Sequence, residues 1–164
     1  TGSAGAAALQ IGRPLGATAF ATASPANHQL ARKLGATEVT DYRTGPPPGP
    51  YDVVLDVMGF LGWRGAKPLL APGGRLALIT PDLPARLGAM VPRSQRRRVL
   101  AGNIKDDLAA MRRVLALHQA GGYTPALGPI LPFEKLAEAH AIAESFHKPG
   151  NLVVVMGADL TPAG

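Results

Sequence analysis

The first residues whose types and spacing suit chemistry are the small ones at the start of the chain, Gly2, Ser3, Ala4 and Gly5. The apolar spacing of residues 6–15 predicts that a helix follows directly. Small residues let a backbone approach a diphosphate closely, and the first amides of a helix point towards its negative charge. The two glycines have the spacing of the last two in the fingerprint G-x-G-x-x-G. The segment therefore predicts a diphosphate site, although packing alone also favours a helix start of this composition.

A second candidate site lies about 20 residues further on, at the end of an apolar stretch over residues 17–23 that we interpret as a strand. Dinucleotide folds that prefer NAD place an Asp or Glu there to hold the ribose hydroxyls, but residues 21–24 read Ala-Thr-Ala-Ser. A carboxylate would repel a 2′-phosphate, whereas hydroxyls and cations accept one. This strand end therefore favours NADP over NAD. The side chains that we expect around the phosphate are Ser24, Asn27, His28, Tyr42 and Arg43.

Apolar strand segments and helical segments alternate along the chain. Strands are predicted at residues 17–23, 38–40, 51–57, 75–80, 99–103 and 151–156, and helices at residues 6–15, 25–34, 61–70, 106–119 and 132–146. Residues 44–50 hold four Pro and two Gly and predict a surface loop, and residues 71–74 (APGG) predict a turn. Continuous apolar strands separated by helices are typical of a parallel sheet covered on both faces. The sequence predicts one α/β domain over residues 1–164, with ligands at the carboxyl ends of its strands.

Composition excludes several classes of protein. The chain has no Cys, so neither a disulfide nor Cys-ligated zinc can form, and its four His lack the spacing of metal ligands. The net charge of +6 favours anionic partners, but aromatic residues make up only 5% and offer few platforms for stacking on bases. No apolar run approaches the roughly 20 residues of a membrane span. We expect a cytoplasmic protein with a phosphorylated cofactor and without a metal, nucleic acid or membrane partner.

Several longer segments follow a shared pattern in register. They are GSAGAAALQIGRPLG (residues 2–16), ATASPANHQLARKLGATEVTDYR (21–43), YDVVLDVMG (51–59), LAPGGRLALI (70–79) and PFEKLAEAHAIAESFHKPGNLVVV (132–155). Together they resemble the coenzyme domain of medium-chain dehydrogenase/reductases, and most closely the zinc-independent quinone oxidoreductase and enoyl reductase branch. The resemblance implies a Rossmann-type doubly wound parallel sheet and NADPH as the hydride donor. It also implies an oxidoreductase that reduces a quinone, an enone or a related carbonyl compound.

The resemblance also implies roles for residues at matching positions. The pyrophosphate loop would consist of Gly2, Ser3, Ala4 and Gly5. Contacts to the 2′-phosphate would come from Ser24 and Tyr42, joined by Asn27, His28 or Arg43. Beside the adjoining ribose would lie Val57, Met58 and Gly59. The nicotinamide would lie near Ile79 and Thr80, and Asn151 would close the C-terminal side of the cleft.

Compared with the family, the sequence lacks two parts. The substrate-binding domain that precedes the coenzyme domain in the family is missing, and so is the first strand of the Rossmann sheet. We therefore assign no catalytic residue and expect a fragment of a two-domain enzyme, catalytically incomplete alone, whose remainder is supplied upstream or by another chain. Because the late sheet edge often pairs across a dimer in this superfamily, we expect a homodimer through the strand at residues 151–156 or its neighbours.

Two other functions remain open from the residues. Residues 52–80 also resemble the late strands of S-adenosylmethionine-dependent methyltransferases, although the acidic glycine-rich loop and the acid after the second strand of those enzymes are absent. The chain could also be a non-catalytic domain that binds nucleotide or mediates assembly. Titration with each cofactor separates the first alternative from the oxidoreductase hypothesis.

Overall fold

The computed structural model describes residues 2–79, 98–101, 107–145 and 150–157. Its strands are β1 (Ala19–Ala23), β2 (Ala36–Asp41), β3 (Tyr51–Asp56), β4 (Leu70–Leu78), β5 (Val99–Ala101), β6 (Leu127–Pro132) and β7 (Asn151–Val155). Its α-helices are α1 (Ser3–Gly12), α2 (His28–Lys33), α3 (Gly62–Ala66), α4 (Leu108–Gln119) and α5 (Leu136–Glu144). No helix in these ranges is both long and apolar enough to cross a membrane.

The described strands pair in parallel in three sheets, with the orders β1-β2, β3-β4-β5 and β6-β7. Parallel neighbours need a crossover connection, which α2, α3 and α5 provide within the three sheets. Parallel strands joined by helices confirm the α/β class expected from the alternation of segments, and they agree with the Rossmann-like fold that the resemblance implies. By contacts, the chain divides into two compact units, Thr1–Pro46 with Ala109–Gly164, and Pro47–Leu108.

The core of the first unit consists mainly of alanine with two larger aliphatic side chains. A buried cluster joins α1, the β1-β2 sheet and α2, through Leu9, Ala23, Ala31, Ala36 and Val39. Alanine at so many contact positions lets the helices lie close to the strands, since little side-chain volume separates the backbones. The cluster places the end of β1, at Ala23, in the same core as α1.

The second unit has a core built on β4. Leu76 is fully buried and packs in a cluster with Val54, Ala66, Leu70 and Leu78. Arg98 holds the start of this strand, because its Nε donates to the carbonyl of Gly74 at 2.7 Å and its terminal nitrogen donates to that of Ala71 at 3.0 Å. Its guanidinium also lies 5.6 Å from the centre of the Trp63 ring.

The turn predicted at residues 71–74 is wrong, because these residues belong to β4. The register between β3 and β4 shifts at this point. A Cβ on Gly74 would lie 2.7 Å from the carbonyl oxygen of Tyr51, so glycine permits a close approach to the neighbouring strand. Gly73 adopts a positive φ of 80° beside it. The two glycines therefore form an irregularity within a strand.

Other element boundaries differ by a few residues from the sequence predictions. Helix α1 begins at Ser3, ahead of the predicted start at residue 6, and a 3-10 turn follows at Arg13–Leu15. Strand β6 was not predicted, since Gly128 and Pro129 are residues that strands normally lack. Its pairing with β7 outweighs that local preference. Helix α4 forms as its periodicity predicts, and no residue of it is buried.

Candidate functional site

The amino end of α1 is open to solvent. Gly2 caps the helix in an extended conformation, and its carbonyl accepts the amide N–H of Ala6 at 2.9 Å. The amides before Ala6 therefore have no partner within the helix, as at every helix start. A Cβ on Gly2 would meet no atom within 4 Å, and the first turn contains no acidic residue. This end of the helix fits an anion in charge and in space.

Ser3 connects this helix end to β7. Its hydroxyl donates a hydrogen bond to the side-chain carbonyl of Asn151, the first residue of that strand. The backbone N–H of Asn151 donates to the carbonyl of Ala126 at 2.6 Å. A Cβ on Gly150 would lie 2.5 Å from that same carbonyl oxygen, so the approach requires glycine. The structure thus brings together Ser3, which the resemblance assigns to the pyrophosphate loop, and Asn151, which it assigns to the C-terminal side of the cleft.

A second hydrogen bond anchors α1 further along its length. Gln10 is buried, and its side-chain carbonyl accepts the backbone N–H of Thr124 at 2.9 Å. The amide of the same side chain donates back to Ala6 at 3.3 Å. Because both polar ends of Gln10 have partners, its burial costs little. The helix is held against the segment before β6 at this point.

The carboxyl end of β1 gathers most of the residues expected around a 2′-phosphate. The carbonyl of Ala23 accepts the backbone N–H of Tyr42 at 3.2 Å, and Nε2 of His28 lies 3.2 Å from the same oxygen. Ser24 follows and caps the 3-10 turn Pro25–Asn27, and its carbonyl accepts the N–H of Asn27 at 2.8 Å. The structure therefore brings Ser24, Asn27, His28 and Tyr42 to one strand end.

An acid that sequence reasoning missed lies at this strand end. Asp41 is the last residue of β2 and pairs in register with Ala23. The Nε–H of Arg43 donates to both carboxylate oxygens of Asp41, at 3.1 and 3.2 Å. A terminal nitrogen of the same guanidinium lies 2.9 Å from one of these oxygens. These hydrogen bonds, and the one from the Arg43 backbone N–H, lower the pKa of Asp41 below its ordinary value. The pair raises the pKa of Arg43 in turn.

Arg43 also lies over an aromatic ring. Its guanidinium carbon is 5.7 Å from the centre of the Tyr42 ring, within the range of a cation–π contact. The side chain of Arg43 remains 65% exposed, whereas that of Asp41 is 21% exposed. The expectation from sequence concerned only an acid at the end of β1. The signal that would have found Asp41 is the parallel pairing of β1 with β2, which places their ends side by side.

The remaining expected residues belong to the second unit. Buried Asp56 ends β3, and its carboxylate accepts the backbone N–H groups of Gly59 at 2.8 Å, and of Leu61 and Gly62 at 3.0 Å each. The backbone carbonyl of Asp56 accepts the N–H of Ile79 at 3.2 Å. The structure therefore holds Val57, Met58, Gly59 and Ile79 at the carboxyl ends of neighbouring strands.

Asp56 is a positioning residue that sequence reasoning missed. The signal available was an acid at the end of an apolar strand, shortly before a glycine, which is typical of a side chain that closes a turn. Gly59 adopts a positive φ of 78° inside this turn. Thr80, the other residue expected near the nicotinamide, lies outside the described residues.

The family of the chain follows from comparison with known proteins. Residues 34–154, well over half of the chain, match the family model of zinc-binding dehydrogenases. The chain belongs to this family of oxidoreductases, and the resemblance to medium-chain dehydrogenase/reductases is confirmed.

Individual relatives agree with this assignment. The chain is 27% identical over 185 residues to the mitochondrial NAD(P)H oxidoreductase RTN4IP1 of Danio rerio, a match that covers 97% of this chain and 48% of the relative. The quinone oxidoreductase of Coxiella burnetii has the same fold, with a TM-score of 0.81 at 22% identity over 95% of this chain and 50% of that one. The quinone oxidoreductase of Thermus thermophilus, also solved with NADPH, has a TM-score of 0.64 at 26% identity over 94% of this chain and 55% of that one. The chain spans about half the length of each.

Zinc, which the family description names, needs a set of donor side chains. Among the residues that the structure describes, no group of three or more His, Cys, Asp or Glu is placed to hold a metal ion. The sequence contains no Cys. The described residues therefore do not fit a zinc ion.

Proposed function

We propose that this chain is the NADPH-binding domain of an oxidoreductase that transfers hydride to a quinone, an enone or a related carbonyl compound. The observation that carries the proposal is the open amino end of α1, held to β7 by the hydrogen bond from Ser3 to Asn151. The same compact unit contains the strand end at Ala23, whose carbonyl contacts the backbone N–H of Tyr42 and Nε2 of His28. The first feature suits a diphosphate and the second suits a phosphorylated ribose.

The diphosphate would bind at residues 2–5. Backbone amides of Ser3, Ala4 and Gly5 supply hydrogen-bond donors, and the dipole of the ten-residue helix α1 adds partial positive charge. The hydroxyl of Ser3 already has a fixed direction, because Asn151 accepts its hydrogen. Asn151 would thereby orient the first turn of α1, which contains Ser3 to Gly5 of the expected pyrophosphate loop, and close that side of the site. No step of this binding needs a side-chain cation.

The adenosine ribose and its 2′-phosphate would bind at the carboxyl ends of β1 and β2. Ser24 and Tyr42 offer hydroxyl groups, Asn27 and His28 offer further donors, and Arg43 offers a positive charge. The exposed side chain of Arg43 lies within reach of solvent at this strand end. This combination favours NADPH over NADH, since only NADPH carries a 2′-phosphate that these donors could bind.

The described residues proposed for the nicotinamide half of the cofactor lie at the strand ends of the second unit. Val57, Met58 and Gly59 would border the adjoining ribose, and Ile79 and Thr80 would border the nicotinamide. The bound cofactor supplies the hydride, while the chain supplies position and exclusion of water. Catalytic residues and the substrate pocket would come from the remainder of a two-domain enzyme, upstream or in another chain. The cytoplasm is the compartment that we propose.

The test is a fluorescence titration of the chain with NADPH and with NADH. We expect tighter binding of NADPH, and we expect Tyr42→Ala to raise the Kd for NADPH by about three- to tenfold, as the loss of one hydrogen bond and one ring contact predicts. The matched control is Tyr123→Ala, a tyrosine of the same unit outside the proposed site. Equal affinity for both nucleotides, or binding of S-adenosylmethionine in their place, would contradict the proposal.

The proposed assembly is a homodimer through the edge of the β6-β7 sheet. Leu127 is 54% exposed and Met156 is 74% exposed at this sheet, and such apolar side chains would become buried in a pair of copies. Sedimentation equilibrium over a range of concentrations measures the association. A monomer at every concentration, for a chain that binds NADPH, would contradict the dimer and leave the cofactor proposal intact.

A further inference from the structure

Asp41 and Arg43 form a two-residue unit whose geometry the local backbone fixes. Three contacts of 2.9 to 3.2 Å join the guanidinium to the carboxylate, and the Arg43 backbone N–H donates to the same carboxylate at 3.0 Å. The backbone carbonyl of Asp41 accepts both the N–H of Thr44, at 3.0 Å, and its hydroxyl, at 2.8 Å. Since these hydrogen bonds close a turn directly after β2, the carboxylate and the guanidinium stay adjacent.

The Asp41–Arg43 pair lies where a 2′-phosphate would bind. Ala23 is opposite Asp41 in the β1-β2 register, and the carbonyl of Ala23 accepts the Tyr42 N–H. The Arg43 guanidinium, which binds the Asp41 carboxylate, also lies over the Tyr42 ring. The positive charge expected to attract a phosphate is therefore neutralised by a negative charge of the same turn.

This neutralisation affects the binding of NADPH and of NADH differently. A 2′-phosphate carries up to two negative charges and is repelled by a carboxylate a few ångströms away, which offsets part of the attraction to Arg43. A ribose without the phosphate offers two hydroxyls, which a carboxylate accepts well; acids at strand ends perform this function in NAD-binding folds. Asp41 thus opposes the phosphate and favours the hydroxyls.

We propose that Asp41 is a specificity-determining residue that limits the preference of this site for a 2′-phosphate, by neutralising Arg43 and by offering an acceptor to ribose hydroxyls. The inference rests on the proposed nucleotide site at the end of β1. With Asp41 present, the site would accept both nucleotides and favour NADPH only modestly over NADH. The negative charge of this one side chain would set the size of that preference.

The test is calorimetric titration of the chain with adenosine 2′,5′-bisphosphate and with AMP, which differ only in the 2′-phosphate. We expect Asp41→Asn to raise the ratio of the affinity for the bisphosphate to the affinity for AMP by about three- to tenfold. This is the size of one like-charge repulsion at partial exposure. Arg43→Gln should lower the same ratio. In the Arg43→Gln background, Asp41→Asn should change the ratio less, because its neutralising effect on the guanidinium is already gone.

Glu138→Gln is the matched control. It removes one negative charge from an exposed ion pair away from β2, that of Glu138 on α5 with Lys135 at 3.4 Å. A ratio that Asp41→Asn leaves unchanged, or changes no more than Glu138→Gln does, would overturn the inference while binding of the bisphosphate still supports the nucleotide site. Binding of neither compound by the unaltered chain would overturn the nucleotide site itself, and the inference with it.

Discussion

The hydroxyl of Ser3 donates a hydrogen bond to the side-chain carbonyl of Asn151, and the two residues are 148 positions apart in the sequence. The bond joins the amino end of the first helix to the start of the last described strand. It places an amide side chain at the mouth of the proposed diphosphate site. The charge at position 151 should therefore control binding of the cofactor more strongly than the hydrogen bond itself does.

Asn151→Asp tests this relationship. The variant keeps an acceptor for the Ser3 hydroxyl but places a negative charge beside the diphosphate, so we expect the Kd for NADPH to rise about tenfold or more, as repulsion between close charges predicts. Asn151→Ala loses only the hydrogen bond, and its Kd should rise about two- to fivefold. Gln119→Glu, at an exposed position of α4, adds the same charge elsewhere and should leave the Kd unchanged. Equal effects of Asn151→Asp and Gln119→Glu would contradict the proposed place of the diphosphate.

Gly150→Ala should disturb the same site through the backbone. Gly150 has a φ of 66°, and a Cβ there would meet the carbonyl oxygen of Ala126 at 2.5 Å. Gly121 has a similar φ of 73° but open space around its Cβ position, so Gly121→Ala measures the strain alone. We expect Gly121→Ala to lower the free energy of unfolding by about 1 kcal/mol. Gly150→Ala should lower it by about 2–4 kcal/mol, since the clash adds to the strain. Chemical denaturation measures both, and equal losses would exclude the close approach.

Asp56→Ala should destabilise the turn that carries Val57, Met58 and Gly59. The substitution leaves three backbone N–H donors without their acceptor, and we expect the free energy of unfolding to fall by about 2–4 kcal/mol. Asp56→Asn retains one acceptor oxygen and should recover part of the loss. Asp52→Ala, at an exposed acid of the same strand, is the control and should change stability by less than about 0.5 kcal/mol. Denaturation with urea provides the comparison, in which a small effect of Asp56→Ala would argue against its positioning role.

The pKa of Asp41 should depend on Arg43. Side-chain hydrogen bonds from Arg43 are the largest cause that lowers the pKa of Asp41. A carboxyl whose pKa is lower in the folded state contributes stability above its ordinary pKa, and this contribution disappears as the pH falls through the folded-state value. We expect a carbon NMR titration to give a midpoint for Asp41 below the ordinary range, and Arg43→Gln to raise that midpoint. An unchanged midpoint in Arg43→Gln would mean that the pair does not persist in solution.

The local sequence was sufficient to predict most elements of this fold. Periodic apolar residues predicted α4, and Ser24 with Pro25 predicted a helix from residue 25, because both signals act over a few neighbouring residues. The structure has the 3-10 turn Pro25–Asn27 at that point, and α2 follows it. The boundaries shifted by a few residues where 3-10 turns flank the helices. Strand β6 escaped prediction, because Gly128 and Pro129 contradict a strand locally and only the pairing with β7 stabilises it.

The candidate site was predictable in its outline. The residues at 2–5 and the strand end at Ser24 were found because small residues, hydroxyls and a missing acid are visible in the sequence. The structure added Asp41, which the register of two parallel strands brings opposite Ala23. The structure also added Asp56, because its carboxylate accepts three backbone N–H groups of the turn that follows β3.

By itself, the sequence determined the alternation of strands and helices, the small residues at the start of α1 and the family to which the chain belongs. These properties depend on residue types at short spacing, which act within one element. Only the tertiary structure decided that Ser3 meets Asn151, that β6 exists, and that an acid lies beside the expected phosphate-binding residues. Such relationships depend on which strands pair and in what register, and pairing energies join residues far apart in the chain.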